Sequence, residues 1–107
     1  MKSIMQPESD RGCYLCEIIN NDYSPKLTGQ EHHIFGGPNR KWSEKFGLKV
    51  KLCLRHHEGD ISGQKSAVHR PDLNNYADIL HIRAQREFEK THTRKEFTEI
   101  FGRNYIW

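Results

Sequence analysis

The chain has 107 residues, of which 35% are hydrophobic, and 17 Lys and Arg stand against 14 Asp and Glu for a formal net charge of +3. Its mean hydropathy is −0.89, so it can bury one modest core, on the order of 60–70% of the extended-chain surface. That excludes a multidomain protein, and with no run near the ~18 apolar residues of a bilayer span, a soluble protein of a reducing cytoplasm is expected.

Residues 1–12 are polar, with Pro7, and read as a flexible tail; residues 13–107 read as one domain. Cys13-Tyr14-Leu15-Cys16 forms a tight knuckle, and Cys53-Leu54-Arg55-His56 repeats its two-residue gap with histidine in the last place. Three cysteines are an odd, sparse set for a disulfide framework, and redox C-x-x-C pairs belong to a βαβ context absent here. A Cys3His set of thiolates and imidazole suits tetrahedral zinc, and closed four-ligand sites of this kind are usually structural. Such an ion contributes roughly 10–16 kcal/mol of apparent binding energy, which would compensate for a small core.

Residues 17–30 carry turn formers at Asn20, Asn21, Asp22, Ser24-Pro25 and Gly29 and read mainly as a loop. Residues 31–35 read as a strand, on which His32 and His33 point to opposite faces and so do different jobs. Gly36-Gly37-Pro38 ends the strand, and residues 42–46 form a helical turn closed by Gly47. Residues 48–52 alternate strictly, with Leu48, Val50 and Leu52 inward and Lys49 and Lys51 outward. Between residues 39 and 55, Arg40, Lys41, Lys45, Lys49, Lys51 and Arg55 stand against a single acid, Glu44. That density predicts a phosphate-binding surface. The second His-His pair, His56-His57, is followed by a polar run through Gly63, so the next helix is expected to start late. His69, shortly before Pro71, is then a candidate to return as a metal ligand. A stripe of Leu73, Tyr76, Ala77, Leu80, Ala84 and Phe88 predicts a helix over residues 71–90, with His81 beside the stripe as a packing residue. Thr93 and Glu96 match a capping box opening a second helix that turns Phe97, Ile100 and Phe101 inward and ends at Gly102.

The run HHIFGG, followed by NR, SEK, GL, LC and HH in that order, and the tail AQ..FE..HTR.EF...FGRNY together resemble the HNH, or His-Me finger, endonucleases, in particular small phage-type members. The resemblance spans residues 13–105. It implies an α+β fold with a small ββα-metal, treble-clef-like core, a zinc knuckle and two C-terminal helices. It further implies structural zinc on Cys13, Cys16, Cys53 and His56, a catalytic metal on His32 and His57, and His33 as general base. DNA, most naturally duplex, would be the substrate, in the host cytoplasm for a phage-encoded member. The family's middle Asn has no counterpart at its usual place, where Gly47-Leu48 stands, which leaves Asn39 as the candidate to orient His33.

The chemistry agrees with that transfer. An imidazole titrating near neutrality suits deprotonation of water, a contribution of about 10²–10⁴ in rate, and a divalent ion with open positions neutralises charge on the scissile phosphate. Mg²⁺ is the default for phosphate chemistry, whereas imidazole ligands suit Mn²⁺, Ni²⁺ or Zn²⁺. The rival expectation is a non-catalytic zinc-knuckle module that binds nucleic acid or protein. That leaves His32, His33 and His57 without a task.

Overall fold

The alternating residues around Val50 form a strand for the reason their pattern predicts: one face is apolar and has a core to meet. In the computed structural model, which describes residues 1–26, 29–59 and 65–106, β2 (Lys49–Leu52) pairs antiparallel with β1 (Gln30–His33). The register sets Gln30 against Leu52, Glu31 against Lys51, His32 against Val50 and His33 against Lys49. Residues directly opposite share a face of an antiparallel pair. Gln30 and His32 therefore lie on the apolar side with Val50 and Leu52, and Glu31 and His33 lie on the other with the two lysines.

Around this hairpin stand α1 (Tyr14–Asn20), α2 (Arg40–Phe46), the single turn α3 (Leu54–His57), α4 (Tyr76–Phe88) and α5 (Arg94–Phe101), with a 3-10 turn at Gly37–Asn39. The result is a small α+β domain whose core joins Leu15, Leu48, Val50, Leu52, Leu80, Ala84, Phe88, Phe97 and Phe101. Among the described residues, no helix is long and apolar enough to cross a membrane.

Several local outcomes bear on the site. The knuckle does not open a loop: Cys13 caps α1 by accepting from the Cys16 amide, and the helix runs to Asn20 before Asn21 turns left-handed at φ 52°. Burial of Tyr14, Leu15 and Cys16 outweighs the turn-forming residues, which act as the helix stop instead. Residues 1–12, expected as a tail, lie along the outer face of the hairpin. Ile4 N donates to Gly47 O, and Gln6, 4% exposed, accepts from Lys51 N while its amide donates to Gly12 O. α2 ends at Gly47, φ 69°, where a Cβ would also lie 2.3 Å from the Lys2 carbonyl oxygen, so conformation and packing both demand glycine.

The expected helix over residues 71–90 begins only at Tyr76. Asn74 explains the delay: its side-chain amide donates to Lys65 O and Ala67 O, and its Oδ1 accepts from Tyr76 N. These bonds hold residues 65–75 as a loop and satisfy the first amide of the helix that follows. Leu73 is exposed as a result. α5 follows its sequence closely, with the Thr93–Glu96 capping box formed in both directions and Gly102 as its left-handed stop.

Candidate metal centres and active site

Cys13 and Cys16 reach inward from the first turn of α1, and Cys53 and His56 from the cap and first turn of α3, so two short helix starts face one another. His56 Nδ1 lies 3.5 Å from Cys13 Sγ, 3.4 Å from Cys16 Sγ and 3.3 Å from Cys53 Sγ, and Cys16 Sγ lies 3.9 Å from Cys53 Sγ. With Zn–S about 2.3 Å and Zn–N about 2.0–2.1 Å, a tetrahedron has S···N edges of about 3.6 Å and S···S edges of about 3.8 Å. These four pairs sit at nearly those separations, and the cysteines are free of disulfides.

Burial raises the Cys13 thiol and, with its sulfur neighbours, pushes Cys16 to about 12; it lowers His56. Cys13, Cys16 and His56 are thus neutral donors, and the two thiols would release protons on taking a cation. It can hold a structural metal ion.

A second cluster gathers His32 from β1, His57 from the end of α3 and His69 from the loop before α4. Their ligand nitrogens lie within 4.8 Å of one another, and the rings stand edge to face at 5.0–5.3 Å between centroids. His69 is brought there without a helix: Val68 N donates to His56 O at 2.7 Å, which lays the loop beside α3. Burial, with the neighbouring imidazoles, lowers His32 to about 3, and burial lowers His57. Their lone pairs are therefore available at neutral pH. The three line a cavity of about 350 Å³ together with His33, Arg40 and His81. His81 stacks on Phe35 at 5.1 Å and 13°, so it packs, as expected, while also forming part of the wall.

His33 turns to the other face of β1. Its Nε2 lies 2.8 Å from Glu44 Oε2 and 3.8 Å from Glu31 Oε1. Glu44 is lowered to about 2 by hydrogen bonds from Lys49 and His33, so its carboxylate can only accept. His33 Nε2 must then carry hydrogen, and Nδ1 is the atom left to exchange a proton. α2 is fixed against β1 by Ser43, whose Oγ accepts from Phe35 N and donates to Phe35 O. Asn39, expected to orient His33, instead donates its amide to Phe101 O at 3.3 Å. The orienting group is Glu44, the lone acid in the basic stretch, and that isolation was the signal available in the sequence.

The basic residues divide. Lys49, expected to face solvent, is 9% exposed beneath residues 1–12 and bonds both Glu44 oxygens, at 2.9 and 3.1 Å. Lys51 donates to Glu8 O and Asp10 O. Arg40, Lys41, Lys45 and Arg55 are exposed, with Lys41 and Lys45 lying over the Trp42 ring at 5.0 and 5.5 Å. Part of the polar run after His57, residues 60–64, lies outside the described residues.

No family model, curated protein or solved structure matches the chain. Function therefore rests on the chemistry of these side chains.

Proposed function

We propose that the chain is a metal-dependent endonuclease of the HNH type, hydrolysing phosphodiester bonds in DNA, with β1, β2 and α3 as its ββα-metal core. The observation that supports this reading most is the convergence of His32, His57 and His69 in an open cavity shared with His33 and Arg40. A closed Cys3His set elsewhere in the domain accounts for structural metal and leaves this second cluster unexplained by folding alone. A zinc-knuckle binding module has no use for it.

His32, His57 and His69 would hold the catalytic ion, and their three imidazoles, with no carboxylate among them, favour a transition metal such as Mn²⁺, Ni²⁺ or Zn²⁺ over Mg²⁺. The ion would neutralise charge on the scissile phosphate and on the leaving oxygen. His33 takes the proton of the attacking water on Nδ1, while Glu44 fixes the ring through Nε2–H and stabilises the imidazolium formed. Arg40, which lines the cavity, would bind a phosphate oxygen, and Lys41 and Lys45 would extend that contact along α2 without base preference.

The test is nicking of supercoiled plasmid by purified protein in Mn²⁺, Ni²⁺, Zn²⁺ or Mg²⁺, with an EDTA control. Cleavage abolished by EDTA and by His33→Ala is expected. Binding to DNA with no cleavage in any metal would favour the non-catalytic module.

A further inference from the structure

His57 makes a contact that neither metal cluster requires: its Nδ1 lies 2.5 Å from Gln30 Oε1. We infer that Gln30 is a positioning residue for the histidine cluster, holding His57 in the Nδ1–H tautomer so that Nε2 offers its lone pair to a cation. The inference rests on the reading of His32, His57 and His69 as a metal site.

The geometry comes from period two. Gln30 lies two residues before His32 on β1, so both share the hairpin face of their cross-strand partners Leu52 and Val50, where α3 delivers His57. A side-chain amide oxygen accepts and cannot donate, so a ring nitrogen bonded to it must carry the hydrogen. Neutral imidazole has one N–H and one lone pair; placing the hydrogen on Nδ1 places the lone pair on Nε2. Without that bond, His57 would divide between tautomers and ring orientations. In the inferred arrangement the Nε2 lone pair is the one offered beside His32 and His69. Metal-binding histidines characteristically donate their second nitrogen to an oxygen in this way, and loss of the outer partner costs roughly 10–100-fold in metal affinity.

The amide also sets the charge of the site. A carboxylate at position 30 would accept the same hydrogen bond and add a negative charge beside the cation. The natural glutamine adds no charge, so it does not offset that of a bound divalent ion toward phosphate.

The experiment uses the zinc-loaded full chain, titrated with Ni²⁺ by calorimetry, in the wild type, Gln30→Leu and Gln30→Glu. Gln30→Leu should weaken Ni²⁺ binding about 10–100-fold while leaving zinc content and Tm unchanged, and Gln30→Glu should bind at least as tightly as wild type. Nitrogen-15 correlation spectra of the wild-type imidazoles, recorded before Ni²⁺ is added, should show His57 protonated on Nδ1. Equal affinity in Gln30→Leu, equal weakening in Gln30→Glu, or an Nε2–H tautomer in wild type would each overturn the assignment while leaving the metal site standing. A wild type that binds no Ni²⁺ beyond its zinc would overturn the metal-site reading itself, and the inference with it.

Discussion

Replacing Cys53 with serine removes one of four donors that lie within 4.8 Å of one another across two chain segments some 40 residues distant. The expected consequence is unfolding, and the magnitude follows from two quantities. A structural zinc supplies roughly 10–16 kcal/mol of apparent folding energy, whereas a domain of this size has a net stability of about 5–15 kcal/mol. Loss of most of the first exhausts the second. The remaining donors cannot compensate, because burial holds Cys13 and Cys16 as neutral thiols until a cation is present, and a serine oxygen is a poor replacement for a thiolate at zinc. Elemental analysis should find one tightly held zinc per wild-type chain and little in Cys53→Ser. Far-UV circular dichroism should show the variant, and the wild type after exhaustive chelation, largely unfolded at 25 °C. Well-folded wild-type protein without zinc, or a Cys53→Ser variant melting at the wild-type Tm, would refute the reasoning.

Three further outcomes are expected. His33→Ala should abolish plasmid cleavage while leaving zinc content, Tm and divalent-ion binding intact, whereas His57→Ala should weaken the catalytic ion so that cleavage partly returns at high metal concentration; identical failure of the two in a metal titration would contradict their separate roles. Replacing Arg40 and Lys41 with alanine should flatten the salt dependence of duplex binding by about 0.9 for each phosphate no longer neutralised, whereas Lys49→Ala, which strips Glu44 of its buried partner, should lower Tm with little change in slope; the reverse pattern would place the DNA on the hairpin. Glu17 is raised from 4.5 to about 7 by burial and by Asp10, so the folded state keeps a proton that the unfolded state loses, and stability falls as pH rises from 4.5 to 7. Glu17→Gln should therefore gain on the wild type as pH increases across that window and level off above it, in urea titrations at fixed zinc; a difference independent of pH would mean that Glu17 does not titrate there.

Short-range patterns were legible wherever a handful of neighbouring residues decides the outcome. The capping box at Thr93, the left-handed stops at Gly47 and Gly102, and the alternation of residues 48–52 are local devices whose geometry is set within one or two turns of chain. The pairing of Cys13-x-x-Cys16 with Cys53-x-x-His56 was legible for a related reason: each gap of two fits the start of a helical turn, which points both donors the same way. His32 and His33 on opposite strand faces follow from period two alone.

Only the tertiary structure decided what those faces meet. The isolation of Glu44 in a basic stretch marked it, but nothing in the chain paired it with His33, 11 residues away; Ser43 bonded to both backbone groups of Phe35 brings that carboxylate to the ring and leaves Asn39 to hold Phe101. Lys49 does not face solvent as expected because residues 1–12 pack beside it, and a polar segment gives no hydrophobic pattern from which such packing could be read. His69 reaches His57 through a loop bond rather than the expected helix. Sequence therefore determined the donors and their local spacing, which covalent geometry and backbone propensity control. The partners of His33, Lys49 and His57 were decided by long-range packing, since which distant groups share a buried face depends on the whole chain closing around one core.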